Sequence, residues 1–493
     1  MHENLRTLIV ILLLATPFWY FARQPACSII AAESFARRRN LWFGLTLAAF
    51  LTFSYWIYLA IAVPLLVYAN RRESNPPALF FILLFLLPNA TIEIPGLGVI
   101  NYFFALSHTR VLALFILLPA FFSLKRQGNN TSFGRTGPDK AFIAYLLLSA
   151  ALFFREDSVT NSIRQIFYLF IDVFLPYFVI SRSLKNMRSF RDTLLSVVLA
   201  IMVLAPLAIF EFLKGWLLYS SVLASLGLQG MTHYLARDGM LRSIATAGQP
   251  IVLGYLMVAG MGFYMFMQDS IRHKLVRRLG MALLASALIA TLSRGPWVGG
   301  LVLLVVFIVT GRNPARRLMG MALAAMIVLP LISIFPKGER IINLLPFVGS
   351  SDQGTVDYRK DLLTKSLIVI QRNPWFGSID YRDTPELESM RQGEGIIDIV
   401  NSYIKVALET GVVGLLLFVS FFALTLLGVY RAMRSIPDKS SEEYLLGRAL
   451  LATQLAILVI IYTVSSISFI PIMYWSVAGL GVAYAQMVRK GKA

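Results

Sequence analysis

Residues 190–213 read FRDTLLSVVLAIMVLAPLAIFEFL, with no charged residue between Asp192 and Glu211. A helix needs about 20 apolar residues to cross the roughly 30 Å hydrocarbon core of a bilayer. In hydrocarbon the backbone must satisfy its own hydrogen bonds, so this stretch is read as a membrane helix. Outward from it the pattern repeats. The other apolar segments are 5–22, 41–69, 76–88, 109–123, 140–154, 161–182, 248–267, 279–292, 297–310, 315–335, 405–430, 447–467 and 471–487. Hydrophobic residues make up 57% of the 493 and charged ones 14%, where soluble domains run near a quarter charged. Mean hydropathy is +0.69. A soluble enzyme, a disordered chain and a disulfide scaffold are excluded, and Cys27 is the single cysteine. The expected fold is an all-α polytopic membrane protein of about 14 transmembrane helices (12–14), one integral membrane domain over 1–493. The first run lacks a small-residue cleavage site, so it is read as a retained helix.

The net charge is +19, but the basic residues lie between apolar runs instead of forming a patch. No nucleic-acid partner is expected. Arg71–Arg72, Lys125–Arg126 with Arg135, Lys185 with Arg188 and Arg191, and Arg272–Arg278 recur in alternate loops. Arg312–Arg317, Arg431–Lys439 and Arg489–Lys492 continue the series. That alternation marks a cytoplasmic face and places both termini there. Arg37, Arg38 and Arg39 then fall on the wrong side. Either 23–40 is an interfacial segment or 41–69, interrupted by Pro64, is not one simple span. The opposite face carries loops 89–108, 214–247 and 336–404. The last is a large loop holding ten of the 26 acidic residues; in an inner-membrane protein this face is the periplasm or cell exterior, so polar chemistry is expected outside.

Four constellations stand out. Thr291-Leu-Ser-Arg-Gly-Pro-Trp297 joins two apolar segments. Ser293 or Gly295 can cap the following helix, and Arg294 adds a bidentate charge, which suits a phosphate. The same residues also suit a tight helical hairpin with Arg294 reaching lipid headgroups. Val356–Arg372 reads as an amphipathic helix with Arg359 on the stripe of Val356, Leu363, Leu367 and Ile370; that arginine needs an anionic partner, a structural carboxylate or a ligand phosphate. Asp398, Asn401, Lys405 and Glu409 share a helical stripe, either a solvated face or one wall of a polar cavity, and Asp398 can act as a general base there. Arg242 is another outer-face cation. Asp172, within the run 161–182, is a functional candidate or a structural ion pair. The histidines, His2, His108, His233 and His273, lack metal-ligand spacing. Asp380, Asp383, Glu394 and Asp398 read as loop acids. No metal site, P-loop or nucleophile elbow is expected.

The motifs in order, Ser293-Arg-Gly-Pro-Trp297, Tyr358-Arg359, Asn373-Pro-Trp-Phe-Gly377, Val400-Asn-Ser-Tyr-Ile404 and Glu409-Thr-Gly-Val-Val-Gly414, resemble the O-antigen ligase and Wzy-type polysaccharide polymerase superfamily of bacterial envelope glycan assembly. The resemblance covers residues 240–420. It implies an all-helical bundle similar to membrane-embedded GT-C-type glycosyltransferases, in the bacterial inner membrane with the active site facing the periplasm. It implies an undecaprenyl pyrophosphate-linked oligosaccharide as substrate, with no cofactor and no metal. Arg242, Arg294 and Arg359, with Ser293, match the family's pyrophosphate-binding positions. Asn401 and Tyr403 match polar contacts to the acceptor. Ligases carry His before the Asn of the Asn-Ser-Tyr motif, where this chain has Val400. Asp398 or Asn401 is left to stand in, and Asp398 is taken as the base. The departure favours a polymerase of exopolysaccharide or O-antigen repeat units. The alternatives are an O-antigen ligase acting on lipid A core and, from another class, a lipid-linked sugar transporter or flippase. Membrane lipid, a chain-length regulator and a flippase of the same pathway are the expected partners.

Overall fold

The computed structural model describes residues 2–98, 102–127, 133–156, 158–228, 235–237, 239–334, 353–391 and 395–491. Glu394, His233 and Lys492 lie outside them, as do 336–352 of the large loop. The molecule is a helical bundle. In chain order we label α1 (His2–Cys27), α2 (Ala32–Leu51), α3 (Tyr55–Arg71) and α4 (Pro76–Leu86). Then come α5 (His108–Arg126), α6 (Gly137–Arg155) and α7 (Val159–Ser183), followed by α8 (Met187–Lys214), α9 (Pro250–Met267), α10 (Lys274–Ala290) and α11 (Arg294–Val309). The series closes with α12 (Pro314–Ser333), α13 (Gln353–Arg372), α14 (Ser402–Arg434), α15 (Glu442–Ile461) and α16 (Ile470–Lys490).

Among the described residues, eight helices are long and apolar enough to cross a membrane, and α4 and α11 are shorter apolar helices. The expected fourteen spans exceed this number. At 11 residues, α4 extends only about 16 Å. Its chain continues as a hairpin, with β1 (Thr91–Pro95) antiparallel to β2 (Tyr102–Ser107). Helices α8 and α9 form the centre of the bundle, with 83% and 94% of their apolar windows buried. Small residues let neighbours approach closely. A Cβ on Gly299 of α11 would overlap Ile460 of α15, and one on Gly262 of α9 would overlap Thr453.

The basic loops gather at one end, as their spacing predicts. Arg191 pairs with Glu442, Tyr484 donates to the Glu443 carbonyl at 3.0 Å, and Tyr444 donates to that of Thr310 at 3.2 Å. Of the two alternatives for the stretch around Arg37–Arg39 the second holds, and the placement of the N-terminus on the basic face fails. The run 41–69 is two antiparallel helices, α2 and α3, turning at 52–54. That extra crossing brings Arg37–Arg39 to the basic end. Arg38 is buried there between Glu73, at 2.8 Å, and Asp192, at 2.5 Å. Asn75 and Ser196 complete the hydrogen bonding. Burying three charges requires this mutual pairing. The N-terminus is therefore not on the basic face. Arg6 stacks on Trp216, 4.7 Å from its ring centre, just past the far end of α8, whereas Ala26 and Ile29 lie beside Leu195 near the start of α8. Helix α1 is antiparallel to α8, and the two termini sit at opposite ends.

Asp172 is a structural pair: Arg110 binds it at 2.8 Å. The amphipathic helix α13 forms, but with its buried side one position away from the expected stripe. Leu362, Ser366 and Val369 are buried, whereas Val356, Leu363 and Leu367 are exposed. The reason is tertiary. The described part of the large loop builds a small core of its own from Leu362, Val369, Tyr381, Leu387, Met390 and Ile397 against Leu408 of α14.

Candidate functional site

The site is assembled at the end of the bundle opposite the basic loops. Its floor is the turn from α10 to α11. Leu292 adopts φ +45°, a left-handed conformation that costs an L-residue of its bulk about 1–3 kcal/mol and persists only when surroundings hold it. They do. Arg242 donates Nε to the Thr291 carbonyl at 3.2 Å and Nη2 to the Ser293 hydroxyl at 2.9 Å. Arg237 donates to the Leu292 carbonyl at 2.7 Å. Both arginines come from a strap in which β3 (Ala236–Arg237) pairs with β4 (Met240–Leu241). Ser293 does not cap α11 as expected; its hydroxyl donates to the Thr291 carbonyl at 3.0 Å. Arg294 is then the half-buried first residue of α11.

The strap is pinned from below by a residue the sequence did not reveal. The buried carboxylate of Glu211, in the last turn of α8, accepts from the amides of Leu218, Ile244 and Ala245, each at 2.9 Å. The only available signal was an acid closing an otherwise apolar run. Ala245, beside it, also has positive φ, at +42°.

A second unpredicted element binds the rest together: Thr463-Val-Ser-Ser-Ile-Ser468, the loop from α15 to α16. Gly295 packs so closely on Thr463 that a Cβ would overlap the threonine hydroxyl. Arg359 of α13 donates Nη2 to the Thr463 carbonyl at 3.3 Å. Ser465 donates to the Asp398 carboxylate. Ser402 donates to the Val464 carbonyl at 2.9 Å, and Ser466 to the Ser402 hydroxyl at 2.8 Å. Ser468, at φ +50°, accepts from Asn89 at 3.1 Å and donates to the Ala247 carbonyl at 3.4 Å. Three of the four described non-glycine residues with positive φ, Leu292, Ala245 and Ser468, thus lie in these segments. The signal in the sequence was a hydroxyl-rich island between two apolar runs.

Arg359 and Asp398 therefore meet on one loop, and Gly295, the residue after Arg294, packs against it. Tyr358 adds a tie, its hydroxyl donating to the Asp398 carbonyl at 3.0 Å. Arg242 joins them through the turn it braces. Asp398 is not on the helical stripe predicted for it, because α14 begins only at Ser402. Asn401 is the cap of that helix, its carboxamide oxygen accepting from the amides of Tyr403 and Ile404 at 2.9 and 3.2 Å. Tyr403 donates to the Leu458 carbonyl at 3.0 Å, which ties α14 to α15. Both carry structural duties. Val400 packs against the small loop core. Lys405 and Glu409 line a cavity of about 490 Å³, so that part of the stripe is a cavity wall. Among the described residues no group of three or more His, Cys, Asp or Glu gathers as metal ligands would; Asp380 and Asp383 sit at a short loop turn.

The remaining two motifs interlock. Asn373–Gly377 leaves α13 and docks into a break in α14, where Gly411 has φ +68° and ψ −170°. The Val412 amide donates to the Pro374 carbonyl at 2.7 Å, and the Ser378 amide to the Leu408 carbonyl at 2.9 Å. Arg155 staples both sides, donating to the carbonyls of Gly377 at 2.9 Å and Glu409 at 3.0 Å. A Cβ on Gly377 or Gly411 would collide with the opposing backbone.

No curated protein matches this chain. Residues 279–419 match the family model described as O-antigen ligase. That span contains Ser293, Arg294, Arg359, Asp398, Asn401 and Tyr403, but not Arg242 or the Thr463–Ser468 loop. The matched segment holds the turn, α13 and the break in α14, and it supports the resemblance of this membrane protein to the O-antigen ligase and Wzy-type superfamily.

Proposed function

We propose that the protein is a polymerase of undecaprenyl pyrophosphate-linked oligosaccharide repeat units, working at the periplasmic face of the bacterial inner membrane. The observation that carries the reading is the meeting of Arg359 and Asp398 on the Thr463–Ser465 loop, against which Gly295, next to Arg294, also packs, at the end of the bundle away from the basic loops. Basic loops mark the cytoplasmic side, so this end is outside. Arg294 and Arg359 hold the donor pyrophosphate, and Arg242 braces the turn that presents Arg294 together with Ser293. An acceptor hydroxyl attacks the anomeric carbon of the donor. The bond from that carbon to pyrophosphate breaks, and undecaprenyl pyrophosphate leaves with the electron pair. Asp398 takes the hydroxyl proton, oriented by Ser465. Fixed guanidinium charge at the leaving group lowers the barrier without reorganisation.

Val400 supports a polymerase over a ligase, since it replaces the family's histidine and can move no proton. The transporter reading loses its main feature, because Asp172 is bonded to Arg110. The test uses purified protein, the lipid pyrophosphate-linked repeat unit and EDTA. A ladder of products spaced by one repeat, lost in Arg294→Ala, establishes a metal-independent polymerase. Transfer only after lipid A core is added makes it a ligase. No product under either condition sinks the transferase reading.

A further inference from the structure

The cavity of about 490 Å³ beside α14 is separate from the arginine corner. It opens between the outer ends of α6 and α7, the first turns of α14 and the chain after Gly377. Its volume lies within the range of small-molecule sites, about 300–1,000 Å³. Glu409 stands in its wall, accepting from Tyr381 at 3.3 Å, while Arg382 donates to that same phenol at 3.1 Å. Lys405 lies 3.8 Å from Glu409. Glu156 accepts from Asn161 at the rim. Arg155 is turned into backbone carbonyls.

These groups decide the ligand class. Three cations and two carboxylates leave a net charge of only +1, and Arg155 is spent on backbone carbonyls, so the pocket is poorly suited to a pyrophosphate, which Glu156 and Glu409 would repel. Paired acceptors and donors at close quarters, beside the rings of Tyr145 and Tyr381, fit a ligand dense in hydroxyls with apolar ring faces. From Asn401 to Glu409 is eight residues, about 12 Å along the helix, so the pocket is within reach of a glycan whose end lies at Asp398. We infer that this cavity is a subsite for a sugar ring of the acceptor glycan, held by Glu409, Lys405 and Tyr381. The inference rests on the transferase reading for the origin of the glycan, but the binding itself does not depend on catalysis.

The test uses the full chain in lipid nanodiscs and two probes. One is the repeat-unit oligosaccharide released from its carrier by mild acid, which lacks pyrophosphate; the other is undecaprenyl pyrophosphate without sugar. Glu409→Gln is expected to weaken the released oligosaccharide about tenfold or more, the loss of a hydrogen bond to a charged group, and to leave undecaprenyl pyrophosphate binding within twofold. Arg294→Ala should do the reverse. Lys405→Met, on the cavity wall but outside the Tyr381–Glu409 contact, serves as a second variant should the first fail to fold. Failure of the wild type to bind the oligosaccharide overturns the proposal, as does unchanged binding in a folded variant. If the oligosaccharide binds as expected but the complete lipid-linked substrate is never extended or transferred, the subsite stands and the transferase reading falls.

Discussion

Arg242 hydrogen-bonds Ser293, the residue before Arg294, yet the two arginines differ in what their substitution should do. Arg242 reaches a carbonyl and a hydroxyl of the Thr291–Ser293 turn, a two-point grip that an ammonium cannot reproduce. Arg242→Lys is expected to lower the melting temperature and raise the donor KM together, read by thermal unfolding in detergent and by initial rates; a change in rate without loss of stability would argue against a bracing role. Asp398 is different. Its carboxylate is oriented by Ser465, and its substitution should act on chemistry. Asp398→Asn keeps the shape and the serine contact but cannot take a proton. The expected loss in kcat is about 10²-fold or more with donor binding unchanged. Wild-type turnover in that variant would remove Asp398 from the reaction.

Among the elements, the junction of α13 and α14 is the most exacting. Gly411 and Gly377 face each other's backbone with positive φ on both sides. Gly411→Ala would impose about 1–3 kcal/mol of backbone strain in addition to a steric clash with Trp375. The described loop core around Leu362 and Tyr381 includes Leu408, three residues before the break. Limited proteolysis should therefore cleave within 353–391 faster in Gly411→Ala than in the wild type, with the membrane helices intact. Equal cleavage rates would show that the small core holds without the interlock. A strained turn, a capped helix start and a glycine junction all occur within the segment that matches the family model, which spans 279–419.

For the whole molecule, the network of Arg38, Glu73 and Asp192 ties α2, the start of α4 and the start of α8 at the basic end. Arg38→Ala leaves Asp192 without its cation and Glu73 with only the longer pair to Arg37, at 3.6 Å. The expected cost is about 3–5 kcal/mol, visible as a large fall in melting temperature or in yield from membranes. The crossing pattern gives a second expectation. A tag on the N-terminus should be accessible from the side opposite a tag on the C-terminus, because α1 runs antiparallel to α8. Protease protection in sealed vesicles and in spheroplasts checks this, and protection of both tags from the same side would refute the arrangement.

Hydropathy alone determined the class of the molecule, the two-faced charge distribution and the residues worth examining. Run length and charge position are local properties, and a bilayer reads them locally. The Ser293–Trp297 turn, Arg359 and Asp398 were legible because charge beside apolar sequence is conspicuous. What each of them does was not. Arg359 meets Thr463 across 104 residues of chain, and Asp398 meets Ser465 across 67. Glu211 and the Thr463–Ser468 loop looked like ordinary helix ends. That Asn401 caps α14 and Tyr403 ties it to α15 was not legible either. The division of 41–69 into two helices, which reverses α1, hinged on the partners of Arg38. Backbone satisfaction fixes helices segment by segment, whereas hydrogen-bond partners and topology depend on which distant segments share the same end of the bundle, and only the tertiary structure decides that.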